Sequence, residues 1–187
     1  MRLGVVWMMS VLLATGCSNG SEEVLGSTPV GDSARSTSTT ARGDLLPCQN
    51  MIFTDKAVPE DYEVLLDVIA LPTANSAPRA LQVGRHDGTD PPSYFAKTGL
   101  LVRSGAAFDL EVENPRTAGI RWGSPAEFSS TISSQGCQGE SWIAFAGGFI
   151  VQDPTCVRLK LTVGDQQKVF SVGAGTACQG QQPPLPT

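Results

Sequence analysis

Three features of this sequence predict an all-β fold, an antiparallel β-sandwich of immunoglobulin-like or related topology. The 187 residues include 20 Gly and 13 Pro, and only 17% are charged, which is a composition of many turns and few solvent-exposed helices. Phe108, Leu110 and Val112 alternate with Asp109, Glu111 and Glu113, and Val157, Leu159, Leu161 and Val163 alternate with Arg158, Lys160 and Thr162, the period of half-buried strands. No long stretch has clean helical periodicity, and about nine short apolar runs divided by Gly, Pro, Asn, Asp and Ser fit the spacing of two packed sheets.

In chain order, Arg2 and the apolar residues 3–14 come first, too short a run to span a bilayer, and residues 1–16 read as a signal peptide. The segment that follows, Ala14-Thr15-Gly16-Cys17, resembles the lipobox of bacterial lipoproteins, although Ala14 stands where that motif usually has a larger apolar residue. The resemblance implies that Cys17 carries the lipid, of palmitate type, and holds the mature chain on a membrane without crossing it. The alternative is an ordinary signal cleavage that leaves a Cys17 thiol. An odd count of five Cys favours the anchor, because it gives the unmatched cysteine a task of its own.

Residues 17–44 form the expected linker. Fourteen of the 27 residues 18–44 are Ser, Thr or Gly, none is aromatic, and such a stretch buries too little to offset its ordering entropy. As a flexible tether it spans on the order of 30 Å. The folded domain is expected over 45–178. Its strands are read at 62–71, 80–83, 99–103, 108–113, 120–122, 128–132, 141–145, 157–163 and 169–172, with a helical start at 59 as the alternative for the first. Gly164-Asp165 and Ser104-Gly105 supply hairpin turns. Residues 179–187, Gln- and Pro-rich, are expected to be a disordered tail.

Cys48, Cys137, Cys156 and Cys178 permit three pairings. Cys137 and Cys156 flank one aromatic segment and Cys48 and Cys178 stand at the two ends of the domain, so the expected bridges are Cys137–Cys156 and Cys48–Cys178. None of the close spacings of a metal site is present, and no metal or cofactor is expected.

The net charge of −5 argues against nucleic acid as a partner. The single His, His86, lies in a turn-rich loop with Asp87 and Asp90, the one place where a general base or a metal ligand could be sought. Gly173-Ala174-Gly175 begins like a dinucleotide fingerprint but runs into Cys178 and QGQQPP, where no helix follows. Arg121 and Trp122 are the expected binding surface, provided the strand ends at Arg121 and the turn at Gly123 leaves Trp122 exposed. Trp142 is expected in the core, against a bridge between Cys137 and Cys156.

Residues 94–112 (YFAKTGLLVRSGAAFDLEV), Arg121-Trp122-Gly123-Ser124-Pro125, Phe145-Ala146-Gly147-Gly148-Phe149 and Pro154-Thr155-Cys156 together resemble an uncharacterised family of exported actinobacterial lipoproteins. The resemblance covers most of 48–178, implies an extracytoplasmic β domain, and brings no activity with it. The expected function is that of a binding or interaction module of the cell envelope, held at the cell membrane by its lipid anchor alone and facing an envelope protein or glycan. The alternative is an envelope hydrolase, or a metal-assisted activity, centred on His86, Asp87 and Asp90; enzymatic activity is the less favoured reading.

Overall fold

The computed structural model describes residues 44–87, 91–123 and 127–186. The chain divides into two units, Met1–Ser38 and Thr39–Thr187, and the described residues belong to the second. The expected signal peptide, the lipid site Cys17 and nearly all of the linker fall outside them.

Twelve strands are formed among the described residues: β1 (Asp44–Leu45), β2 (Phe53–Asp55), β3 (Glu63–Leu65), β4 (Ile69–Leu71), β5 (Gly84–His86), β6 (Ser93–Arg103), β7 (Ala107–Val112), β8 (Ala118–Trp122), β9 (Thr131–Gln135), β10 (Trp142–Val151), β11 (Thr155–Val163) and β12 (Gln166–Ala174). One sheet has the order β1-β9-β7-β11-β12. The other has the order β2-β10-β6-β4-β3, with β8 beside β10 and β5 beside β6. All neighbours are antiparallel except β1 and β9. The two sheets pack as a β-sandwich, as the alternation predicts. Phe108, Leu110 and Val112 of β7 and Val157, Leu159 and Leu161 of β11 are buried in the core. Their polar neighbours line the wet face, where Glu111 pairs with Lys160 at 2.7 Å and Glu113 with Arg158 at 2.8 Å. The hydrogen bond that Lys160 donates to the Glu111 carboxylate, reinforced by the carboxylate's charge, raises the Lys160 pKa above its usual 10.5.

The longest strands are longer than the sequence predicts. β6 and β10 pair over ten residues, from Trp142 opposite Arg103 to Val151 opposite Tyr94, straight through Gly147-Gly148. Residues 62–71 make two strands with no helix between them. The chain reverses at Leu66 and Asp67, whose φ values are 47° and 61°, and Arg103 fixes the turn through the Asp67 carbonyl at 2.6 Å and carboxylate at 2.5 Å. Residues 80–83 form no strand; Leu81 makes an isolated bridge to Ala174. The Gln/Pro tail, expected to be disordered, is hydrogen-bonded as far as Leu185. Arg79 donates to the Pro183 carbonyl at 3.1 Å and Gln82 to the Leu185 carbonyl at 3.2 Å, while Gln182 and the segment Pro78–Ala80 exchange backbone bonds.

The disulfides correct the expected pairing: Cys48 joins Cys137 and Cys156 joins Cys178. The reason is the length of β10. Cys137 precedes that strand and Cys156 follows it, and ten extended residues separate them by about 33 Å. Parallel pairing of β1 with β9 instead carries Cys48 to Cys137, and the return of the chain after β12 carries Cys178 to Cys156, which faces Gly173 in the β11–β12 ladder.

Candidate functional site

The outer surface of the seven-stranded sheet follows from its register. In β8, Ala118, Ile120 and Trp122 are buried and Gly119 and Arg121 take the opposite face; in β6, Ala96, Thr98 and Leu100 are buried and Phe95 and Lys97 face outward. Cross-strand pairs share a face, so two rows can be read across β8, β10 and β6: Gly119, Ile150 and Phe95, then Arg121, Gly148 and Lys97. β5 adds His86, paired with Ser93 at the far edge.

Four side chains converge there. His86 lies edge-on to Phe128 with ring centroids 5.7 Å apart, and Phe95 meets Phe128 at 5.8 Å and His86 at 6.3 Å. The Arg121 guanidinium stacks over the Phe128 ring, its Cζ 4.2 Å from the centroid, and stands 5.8 Å from that of Phe95. All four residues are half-buried. Among the described residues, Arg121 makes no hydrogen bond and no ion pair, so its donors remain open to solvent while stacking holds the group in place. Lys97 is exposed and has no ion partner among the described residues either. Beside the cluster lies a cleft of about 300 Å³, walled by Phe128, Ile150 and Pro115, with Ser93, Thr117, Ser130 and Gln152 offering polar groups and exposed Arg116 among its lining residues.

A second concavity, about 820 Å³, lies over the five-stranded sheet and is lined by Asp109, Glu111, Ser133, Gln135, Lys160 and Gln167. Its charged groups serve one another: Lys160 pairs with Glu111, and the Ser133 hydroxyl donates to Asp109. This makes it the weaker candidate.

Of the two residues expected to bind, the structure retains Arg121 and removes Trp122. Trp122 is 1% exposed, meets Phe149 edge-on at 5.4 Å, and donates its indole N–H to the Thr98 carbonyl at 3.1 Å. β8 runs through Trp122 instead of ending at Arg121, and strict alternation then turns the indole inward. Trp142 is buried as expected but in a different place. It packs with Ala70, Leu101 and Ala144 on the outer face of the seven-stranded sheet, under Val58 and Tyr62, with the Arg103 guanidinium 4.5 Å from its ring. Neither disulfide takes part in that cluster.

His86 and Arg121, weighed separately in the sequence, belong to one cluster. Residues 88–90 lie outside the described residues, Asp90 with them, and among the described residues no group of three His, Cys, Asp or Glu could hold a metal. Phe95 and Phe128 were not legible as site residues. The one available signal was alternation, which sets Phe95 opposite Ala96, but their meeting depends on pairing between distant strands. Compared with models of protein families and with curated protein sequences, the chain matches none.

Proposed function

We propose that the protein is a lipid-anchored, extracytoplasmic binding module of the cell envelope, and that it meets its partner through the face formed by Arg121, Phe128, Phe95 and His86. The observation that carries this reading is the Arg121 guanidinium, stacked on Phe128 at 4.2 Å and free of hydrogen bonds and ion pairs among the described residues. A cation held in place by a ring and left with open donors is pre-organised for an outside acceptor. The export signal and the Cys17 motif support the location, as do the two disulfides, which suit an oxidising compartment and use the four cysteines other than Cys17.

The test is photo-crosslinking of the full chain in intact cells, with a photoreactive amino acid placed at Arg116, beside the cleft, or at Gln167, on the opposite sheet. Partner adducts are expected from position 116 and not from 167. Adducts from 167 alone, or from neither, would overturn the assignment. Intact mass of the membrane-extracted chain tests the anchor: acyl additions on Cys17 are expected, and a free thiol there removes that part.

A further inference from the structure

The row Lys97, Gly148, Arg121 defines what kind of ligand this face accepts. The three residues are paired side by side on adjacent strands, which sets the Lys97 and Arg121 backbones about 10 Å apart on one face, with a residue lacking a side chain between them. Neither cation is ion-paired among the described residues. Asp87 and Glu127, next in sequence to His86 and Phe128, are exposed and form no ion pair with either. In a chain of net charge −5, two uncompensated cations over a glycine make a local site for negative charge. The same Phe128 ring that supports Arg121 forms a wall of the 300 Å³ cleft, which also has Ile150 and Pro115, the hydroxyls of Thr117 and Ser130, the Gln152 amide and exposed Arg116 among its lining residues. A ring beside hydroxyl, amide and guanidinium groups suits an acidic sugar better than a wholly apolar ligand, and the volume is at the small end of ligand sites.

We infer that this face binds an acidic saccharide, its ring against Phe128 and its carboxylate or phosphate on Arg121, with Lys97 on the same face adding positive charge. The inference rests on the proposed function and gives that binding face its ligand class. The planar Arg121 fork matches either anion through two parallel hydrogen bonds, and Lys97 adds a point charge.

The full chain in detergent, isotopically labelled, is titrated with D-glucuronate, glucose 6-phosphate, D-glucose and inorganic phosphate while its amide spectrum is followed. One or both acidic sugars are expected to shift the signals of Arg121, Phe128 and Gly148 and to bind about tenfold more tightly than D-glucose or phosphate alone, with binding weakened by salt. Which acidic sugar binds better separates the carboxylate from the phosphate source. Lys97→Ala, an exposed change, and Arg121→Gln should each weaken binding about tenfold, with Arg121→Lys retaining part of it because the charge survives without the fork. Equal binding of D-glucose, phosphate binding as tight as either acidic sugar, or shifts confined to Asp109 and Glu111 would overturn the inference. Loss of the acidic-sugar preference with crosslinks from position 116 intact defeats the ligand class only, whereas loss of both defeats the binding face itself.

Discussion

Arg121 and Trp122 are neighbours in sequence with opposite tasks, and one step of strand alternation separates them. Trp122 is a core residue that reaches across Gly147 to the Thr98 carbonyl, so its truncation removes a large buried ring and strands a polar contact. Trp122→Ala should cost about 3–5 kcal/mol in urea unfolding. Arg121→Ala loses only a stacking contact at a partly exposed site and should cost about 0.5–1 kcal/mol. Acrylamide quenching checks the placement, since Trp122 should be shielded from the quencher in the folded chain. Trp122 readily quenched, or Trp122→Ala as stable as the parent, would contradict its burial. Arg121 was legible in the sequence because an arginine between buried Ile120 and a turn has to face outward. Trp122 was misread because the end of a short strand depends on which neighbour it pairs with, and β8 pairs with a strand that begins twenty residues later in the chain.

At the scale of elements, Gly147-Gly148 shows where sequence signals divide. A Gly pair in an apolar run reads as an interruption, yet β10 continues through both residues. A Cβ at 147 would lie 1.9 Å from the Arg121 carbonyl and 2.6 Å from the Trp122 ring, and one at 148 would lie 2.0 Å from the Ala96 carbonyl. The glycines therefore mark close approach of β8 and β6 to β10, with one serving the core face and the other the binding face. Gly147→Ala should destabilise the domain far more than Gly164→Ala. Gly164 sits in the open β11–β12 turn at φ +55° with no atom near its Cβ position, and the change there should cost about 1–2 kcal/mol of backbone strain. Thermal unfolding of the two variants decides this, and near-equal losses would refute the close-approach reading. Strands such as β7 and β11 were legible because their pattern is local, with one face buried and one wet. The site was legible only in part, because Phe95, Phe128 and His86 come from three separate segments and meet through register that no local pattern encodes.

For the whole molecule, the two disulfides close the ends of the domain separately instead of joining them. Cys48–Cys137 ties the entry of the chain, between β1 in one sheet and β2 in the other, to the end of β9 across 89 residues of sequence; Cys156–Cys178 ties the exit to β11 across 22. In the chain-entropy account the longer closure contributes about 4.5 kcal/mol and the shorter about 3 kcal/mol. The strands they secure differ more than these figures do. β1 has two residues and β2 three, and besides these pairings the entry is held by the N–H groups of Leu46, Ile52 and the Asn50 side chain, whereas the exit is tied to the segment 77–82 by Gln181, Gln182 and Arg79. Ahead of Cys48 the entry segment has only the two-residue pairing of β1 with β9 and the Leu46 N–H bond to the Ser133 carbonyl, so the bridge carries much of its attachment. Replacing both Cys48 and Cys137 with Ser should therefore lower stability by about 4 kcal/mol and speed amide exchange across 44–55, whereas replacing Cys156 and Cys178 should cost about 3 kcal/mol and leave 44–55 protected. Non-reducing peptide mapping reads the pairing directly. Recovery of a Cys137–Cys156 peptide, or equal exchange at 44–55 in the two double variants, would show that the entry of the domain is not held by its own bridge.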